Sequence, residues 1–388
     1  MTSKVWVLTD TEQQIYVDRC DLGDAEESAG KGGGYCVRKR RLHGGRQDGV
    51  DTIEVDTGVL RFVVVPTRGM GLWKAWSGPL EIGWQSPVKG PVHPSLVNLF
   101  EPSGIGWLDG FDELLCRCGL ESNGAPQFDP SGRLVYPLHG RIANQPAHRV
   151  EVAIDPSERE IAVTGWVDEA RMFGNKLSLR STYRTRAGEH QLVIQDVVSN
   201  PSSEPAELEL LYHINFGHPL LAPGARVEAA IERLAPRDSH SAQDVASWQD
   251  YGPARPGSRE FAHLASLAGD NSGRTRVLLA TPDGRQGVSL QFNVHELPCF
   301  TLWKSQLAPA DGYVTGLEPG INYPNVRDFE KSHGRVATLE PGQSRSFTIT
   351  LEVHPDPASV GKAREDVIQL RQGTTPMIDR QPHADWSS

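Results

Sequence analysis

An all-β protein, built as a large antiparallel sandwich with one short C-terminal helix, is the fold class this sequence predicts. Three observations carry it. Between Ala147 and His213 five extended runs follow one another, each ended by a turn cluster: Ala147 to Asp155, Glu160 to Val167, Lys176 to Arg186, Gln191 to Ser199 and Ala206 to His213. Apolar and polar residues alternate with a period of two in Leu177-Ser178-Leu179-Arg180-Ser181 and in Glu207-Leu208-Glu209-Leu210-Leu211. Helical spacing is confined to residues 357–372, where Val360, Ala363, Val367 and Leu370 fall on one face. Regularly spaced strands of this kind are the mark of a sandwich.

In chain order, residues 1–50 are mixed, with a glycine-rich loop at Gly30 to Gly34 and a basic run Arg38-Lys39-Arg40-Arg41. They read as a peripheral segment of a strand or two, with the basic run a solvated surface cluster. From Asp51 the pattern sharpens. Thr52 to Thr57 and Leu60 to Pro66 read as strands joined at Gly58, and Thr67-Arg68-Gly69-Met70-Gly71 breaks them. Taken alone, Arg68 reads as a surface cation before a cleft residue.

Residues 81–124 are dense in Gly, Pro and Trp, and irregular stretches of this length inside a domain are functional or disordered. Trp84, Trp107 and Phe111 argue for order, either as sugar-facing surfaces or as pins that hold a loop to the core. Further strands are expected at Thr275 to Ala280, Val288 to Phe292, Cys299 to Lys304 and Ser346 to Val353, followed by the helix and a frayed tail from 373. The domain reading is therefore a peripheral segment 1–50, a β-sandwich domain 51–355, and a helix and tail 356–388.

Composition narrows the function. Of 388 residues 23% are charged and 38% hydrophobic, which is globular and ample for a core. A net charge of -10 with no extended basic stripe excludes a nucleic-acid partner. Cys20, Cys36, Cys116, Cys118 and Cys299 are odd in number and lack a C-x-x-C pair, so they read as free thiols in a reducing compartment. Without a signal-peptide core or a membrane-length apolar run, the expectation is a soluble cytoplasmic protein that needs no membrane.

Glu318 is the only charge in Thr315-Gly-Leu-Glu-Pro-Gly-Ile-Asn-Tyr-Pro-Asn325, where Gly316, Pro319 and Gly320 let the backbone turn and present the carboxylate at a strand end. Alone it would read as a solvated turn glutamate. Two further segments shift that balance: Tyr136-Pro-Leu-His139-Gly-Arg141-Ile-Ala-Asn144 and Leu211-Tyr-His213-Ile-Asn-Phe-Gly-His218-Pro219 each place a histidine in an apolar or turn-forming run. A single histidine in such a strand is more often a hydrogen-bonded core residue than a catalyst. Convergence of His139, His213, His218 and His295 with Glu318 on a metal is the minority alternative, since no His-x-x-x-His pair occurs; no metal and no cofactor are expected.

Pro137-Leu138-His139-Gly140, the strand that ends in His213 after Asp196-Val-Val-Ser-Asn200, and Leu317-Glu318 with Pro324 beyond it resemble, in this order, the aldose 1-epimerase (galactose mutarotase-like) superfamily, in a bacterial branch of it. The resemblance spans residues 50 to 355 and implies a β-supersandwich with a sugar cleft on one concave face. It implies Glu318 as the base, His213 as the acid and His139 as an auxiliary group. Arg68 or Arg141 would stand for the family's sugar-binding arginine and Asp112 for its aspartate. The segments Arg68-Gly69-Met70, Gly83-Trp84-Gln85-Ser86-Pro87 and Phe300-Thr-Leu-Trp303-Lys304 depart from the galactose enzymes, and Trp84, Trp303 and Lys304 join the substrate-binding candidates.

The function so implied is anomer exchange on a free or modified small-molecule sugar. A base takes the C1 hydroxyl proton while an acid protonates the ring oxygen, which places Glu318 and His213 about 5 to 8 Å apart across the cleft. The alternatives are a non-catalytic carbohydrate-binding protein, or a lyase or hydrolase that uses the same pair on a modified sugar. A homodimer is left open.

Overall fold

Strand Arg149–Asp155 buries Val150, Val152 and Ile154 and leaves the residues between them half-exposed. The same two-residue rhythm runs through Glu160–Ala170, Lys176–Arg186 and Gln191–Ser199, and it sets one face of an antiparallel sheet against the core. In the computed structural model, which describes residues 3–23, 34–373 and 375–387, these strands stand beside Ser344–His354, Gly287–Asn293 and Arg274–Ala280 in a ten-stranded sheet. Lys176–Arg186 and Gln191–Ser199 keep the bounds the sequence predicts, and the others differ at their ends.

A second sheet, of fourteen strands among the described residues, packs against the first. Its central order is Ile231–Pro236, Phe261–Leu267, Cys299–Gln306, Tyr313–Gly320, Ala206–Gly217, Leu115–Leu120, Gly71–Ser77 and Leu60–Val65. The main core lies between the two sheets and is filled from both, by Leu210, Tyr212, Ile214 and Leu317 on one side and Val152, Val163, Ile194 and Ile349 on the other.

The ends of the chain are more integrated than the sequence suggests. Strand Lys4–Asp10 extends the first sheet beside Arg149–Asp155, and Cys36–Arg41 extends the second beside Asp51–Asp56. The basic run is thus a strand, and Lys39 is buried, 3.4 Å from Asp51 and 4.0 Å from the centre of the Tyr16 ring. Of the expected loop Gly30 to Gly34, all but Gly34 lies outside the described residues. Helix Pro357–Leu370 starts at Asp356, whose carboxylate accepts the Ser359 N–H at 2.9 Å, and it buries Val360, Ala363 and Val367 against Leu278 and Ala280. The tail is not simply frayed: Met377–Ile378 pairs with Ile231–Pro236, and Trp386 packs 5.2 Å from Tyr323. No helix among the described residues is long and apolar enough to cross a membrane.

One ionic contact joins the sheets through the core. Arg117, on Leu115–Leu120, meets Asp196, on Gln191–Ser199, through both Nε and Nη2. The guanidinium also donates to Ser181 Oγ at 2.7 Å and to the Met70 carbonyl at 2.8 Å, and Tyr212 donates its hydroxyl to Asp196 at 2.9 Å. Both charged side chains are fully buried. Removing one partner strands the other charge in the core, so Arg117→Met is expected to destabilise the fold by about 3 to 5 kcal/mol. Replacing both, Arg117→Met with Asp196→Leu, is expected to recover much of that loss in denaturant titration, and a double variant no more stable than the single one would show that the charges themselves carry the stability.

Candidate active site

Strand register gathers the candidate residues. Glu318 pairs with Thr301, Leu317 with Ile214 and Gly316 with Asn215, while His213 pairs with Cys116 and Leu211 with Cys118. Side chains two apart share a face. Leu317, Ile214 and Tyr212 therefore point into the core, and the opposite face collects Glu318, Thr301, Trp303, His213, Asn215, Cys116 and Cys118. Glu318 lies near a strand end, as expected, but inside the strand and not in its turn, two residues before the end of Tyr313–Gly320. The glycine at 316 serves a different purpose: a Cβ there would lie 2.2 Å from Glu318 Oε1, so its absence gives the carboxylate room.

His139 arrives from the loop after the pair Gln127–Phe128 and Leu134–Tyr136. Its φ of 57° is left-handed, a strained state that the surroundings hold in place. Gly140 follows with φ 70°, and a Cβ there would stand 2.0 Å from the Ser122 carbonyl, which explains the glycine of the Leu-His-Gly segment. The His139 ring donates Nδ1–H to the Asn123 carbonyl at 2.9 Å and lies 5.4 Å from the His213 ring, centre to centre.

Aromatic rings wall the group. Trp107 lies 4.6 Å from His139, Phe111 5.1 Å and Trp303 5.4 Å from His213. His139 and Trp303 are half-buried, whereas His213 and Glu318 are at the bottom. Asn215 orients His213: its amide donates to the Glu113 carbonyl at 3.0 Å, so its oxygen accepts His213 Nδ1–H at 2.6 Å. The other ring nitrogen, Nε2, stands 3.2 Å from Glu318 Oε1. The separation of 5 to 8 Å expected from sequence is thus replaced by direct contact, because neighbouring strands hold the two groups side by side.

Burial sets the protonation states. It raises Glu318 to about 8, with the nearby His139 working against it. Burial lowers His213 to about 3, and His139 adds to that effect. At His139 burial opposes the charge, but the Cys118 thiolate beside it and the Asn123 carbonyl prevail and raise it to about 9; against the effect of burial, Cys116 and His139 in turn lower Cys118 to about 6. At neutral pH the floor of the site therefore carries a protonated carboxyl, a neutral imidazole and an imidazolium paired with a thiolate.

Other predicted residues are placed elsewhere. Arg68 is buried, bonded to Glu113, Asn144 Oδ1 at 2.7 Å and the carbonyls of Val92 and Gly110 at 3.1 and 3.0 Å. It clamps the 83–113 loop and the 142–144 turn to the sheet, and is not presented to a sugar. Lys304 points into the core side, where Asp244 at 2.6 Å and three backbone carbonyls take its ammonium. Arg141 faces Glu121 and Glu169 at 3.6 and 3.7 Å. Asp112 accepts from Trp73 Nε1 at 3.0 Å and packs on Gly90. Trp84 lies behind Phe111, 4.9 Å away, and donates to the Glu113 carbonyl.

His218 lines a separate cavity of about 300 Å³ with Gln85 and Tyr313, and His295 sits by Gly273, so the four histidines do not converge. Sequence reasoning missed Thr301, Asn215, Cys116 and Cys118 as floor residues. Their one signal is the two-residue spacing, which means something only once the pairing is known. It also missed Arg237, which pairs with Glu260 at 3.0 Å and is near enough to act on the charge of Glu318.

A carboxyl that titrates near 8 in the fold and near about 4.3 in the unfolded chain subtracts from stability as pH rises between those values, because the unfolded chain then releases its proton more readily. Below both values there is no effect, and above 8 the penalty is complete. Glu318→Gln should therefore melt progressively higher than the wild type from pH 5 to 8, with a constant difference beyond. A difference that does not vary over this range would mean an ordinary, ionised glutamate.

With this geometry in view, comparison with other proteins is direct. Residues 47–353 match the family described as Domain of unknown function (DUF4432). A Klebsiella pneumoniae protein whose structure carries the name of a candidate aldose 1-epimerase is 31% identical, over 99% of this chain and 100% of its own, with a TM-score of 0.94. A galactose mutarotase-like protein of Clostridium acetobutylicum, 18% identical over 82% of this chain and 98% of its own, superposes with a TM-score of 0.57 and shares the fold. A galactose mutarotase related enzyme of Lactobacillus acidophilus, 15% identical over 78% and 97%, gives 0.51. No curated protein matches. The chain belongs to the DUF4432 family and has the β-sandwich fold of galactose mutarotase-like proteins.

Proposed function

We propose that this protein is an isomerase that interconverts the anomers of an aldose by acid-base opening of its ring. The observation that carries the reading is a set of unpartnered polar atoms around the histidines. Thr301 Oγ1 and Trp107 Nε1 are buried and lack a hydrogen-bond partner among the described residues, and the buried Glu318 Oε1 has only His213 Nε2, 3.2 Å away, beside it. Buried polar groups are normally paired. A hydroxyl and an N–H donor left open beside a carboxyl and aromatic rings suit a ligand with several hydroxyls and an apolar face, which describes a pyranose or furanose.

Glu318 is the base and His139 the acid. Once ionised, Glu318 takes the proton of the C1 hydroxyl, and His139 gives one to the ring oxygen as the C1–O bond breaks. Rotation about C1–C2 and the reverse transfers close the ring on the other face. Assigning the acid to His139 and not to His213 follows from the tautomer: neutral His213 has its one N–H turned to Asn215, and its lone pair faces Glu318. His213 Nε2 accepts the hydrogen bond of the protonated carboxyl and loses it when Glu318 ionises, while the half-buried His139 is the group that substrate reaches.

Glu318→Gln is expected to lower turnover by about 10³-fold while sugar binding persists. Saturation-transfer NMR over a panel of aldoses reads turnover and ligand line-broadening reads binding. Binding in the wild type without faster anomer exchange would instead make this a carbohydrate-binding protein, and a new product would make it a lyase or hydrolase. With Glu318 needed ionised and His139 needed protonated, kcat/KM corrected for the uncatalysed rate should rise towards about 8 and fall above about 9. A profile flat from pH 6 to 10 would refute these roles.

A further inference from the structure

Glu209 is fully buried on strand Ala206–Gly217, four residues before His213 and on the same face. Burial raises it to about 8, against the Asn123 N–H and the charge of Arg327, whose own ion pair is with Glu207, so stability alone is a poor reason for an acid there. Its two oxygens are used separately. Oε2 accepts the Asn123 backbone N–H at 2.9 Å, and Oε1 accepts from Asn322 Nδ2 at 3.2 Å. The side-chain amides of Asn123 and Asn322 also bond each other in both directions, at 2.8 and 3.1 Å.

These two asparagines belong to the segments that carry the chemistry. Asn123 offers the carbonyl that takes His139 Nδ1–H, and Asn322 is four residues past Glu318, just after its strand ends. Ala125 N–H to the Pro324 carbonyl, at 3.2 Å, adds a second tie between the same turns. Each carboxyl oxygen accepts from one of these donors, whereas a glutamine would turn its own NH₂ towards one of them.

We propose that Glu209 is a positioning residue that, through the Asn123–Asn322 pair, locks the His139 loop to the segment of Glu318 and so fixes the distance between acid and base. The role in catalysis rests on the function proposed above, but the lock itself does not. In protein labelled with ¹⁵N-histidine, with the His139 signal assigned from His139→Ala, Glu209→Gln should weaken protection of the Nδ1 proton and let it exchange faster with water. An unchanged His139 signal overturns the lock whether or not the protein turns over sugar.

In the anomerisation assay, Glu209→Gln should lower kcat about 100-fold with KM nearly unchanged, the effect of a misplaced catalytic group. In a His139→Ala background the same change should cause no further loss, since Glu209 acts through His139. Additive losses in the two variants, or a lower melting temperature with kcat intact, would make Glu209 a packing residue only. Glu209→Leu repeats the measurement without a misdirected NH₂, and retention of full kcat by Glu209→Leu would likewise overturn the proposal.

Discussion

The contact between Arg117 and Asp196 fixes which way the site faces. It holds strand Leu115–Leu120 with its central guanidinium turned into the core and against the other sheet. Because neighbours in a strand point to opposite faces, Cys116 and Cys118 must then turn outward. Pairing with Ala206–Gly217 passes the same orientation to His213, and pairing with Tyr313–Gly320 passes it to Glu318. A slip of one residue at any of these ladders would bury the catalytic candidates in the hydrophobic core and expose Leu317 and Ile214. The sandwich and the site are for this reason one construction.

A second arginine does for the loops what Arg117 does for the sheets. Segment 83–113 has little regular structure to satisfy its own carbonyls, and Arg68 supplies donors to two of them, at Val92 and Gly110. This lets Trp84, Trp107 and Phe111 stand as a rigid wall over His213. At Glu318 and His213 charge is controlled by burial more than by counter-ions. Glu318 is raised and His213 lowered mainly by burial, and both shifts depend on the loops staying closed.

Much of the sandwich was legible because strands that alternate must bury one face, and Lys176–Arg186 is readable without any partner. The site was legible only through its rarest residues, a lone carboxylate and two histidines in apolar runs. What failed had a common cause. Arg68 and Lys304 become sugar-binding candidates only through the resemblance, but each finds its acceptors in buried carboxylates and backbone carbonyls that no sequence pattern locates. The strand-end placement of Glu318 holds, but the glycine that matters is Gly316, which makes space within the strand where the sequence suggests a turn. Lys39 was read as solvated, although Asp51 and Tyr16 enclose it across strands. Each of these depends on cross-strand neighbours, and register is long-range information.

Sheet geometry also limits how acid and base could share one sheet face. Adjacent strands are about 4.8 Å apart, so side chains on neighbouring strands can touch but cannot straddle a sugar ring. Glu318 and His213, on paired strands, accordingly meet at 3.2 Å. A group able to reach the far side of a substrate must come from outside the sheet. His139 does so, on a loop whose left-handed backbone and tight glycine raise it beside the strand face, with its ring tied to Asn123. In the proposed mechanism the sheet supplies the base, Glu318, and a loop with a left-handed backbone supplies the acid, His139, from outside the sheet.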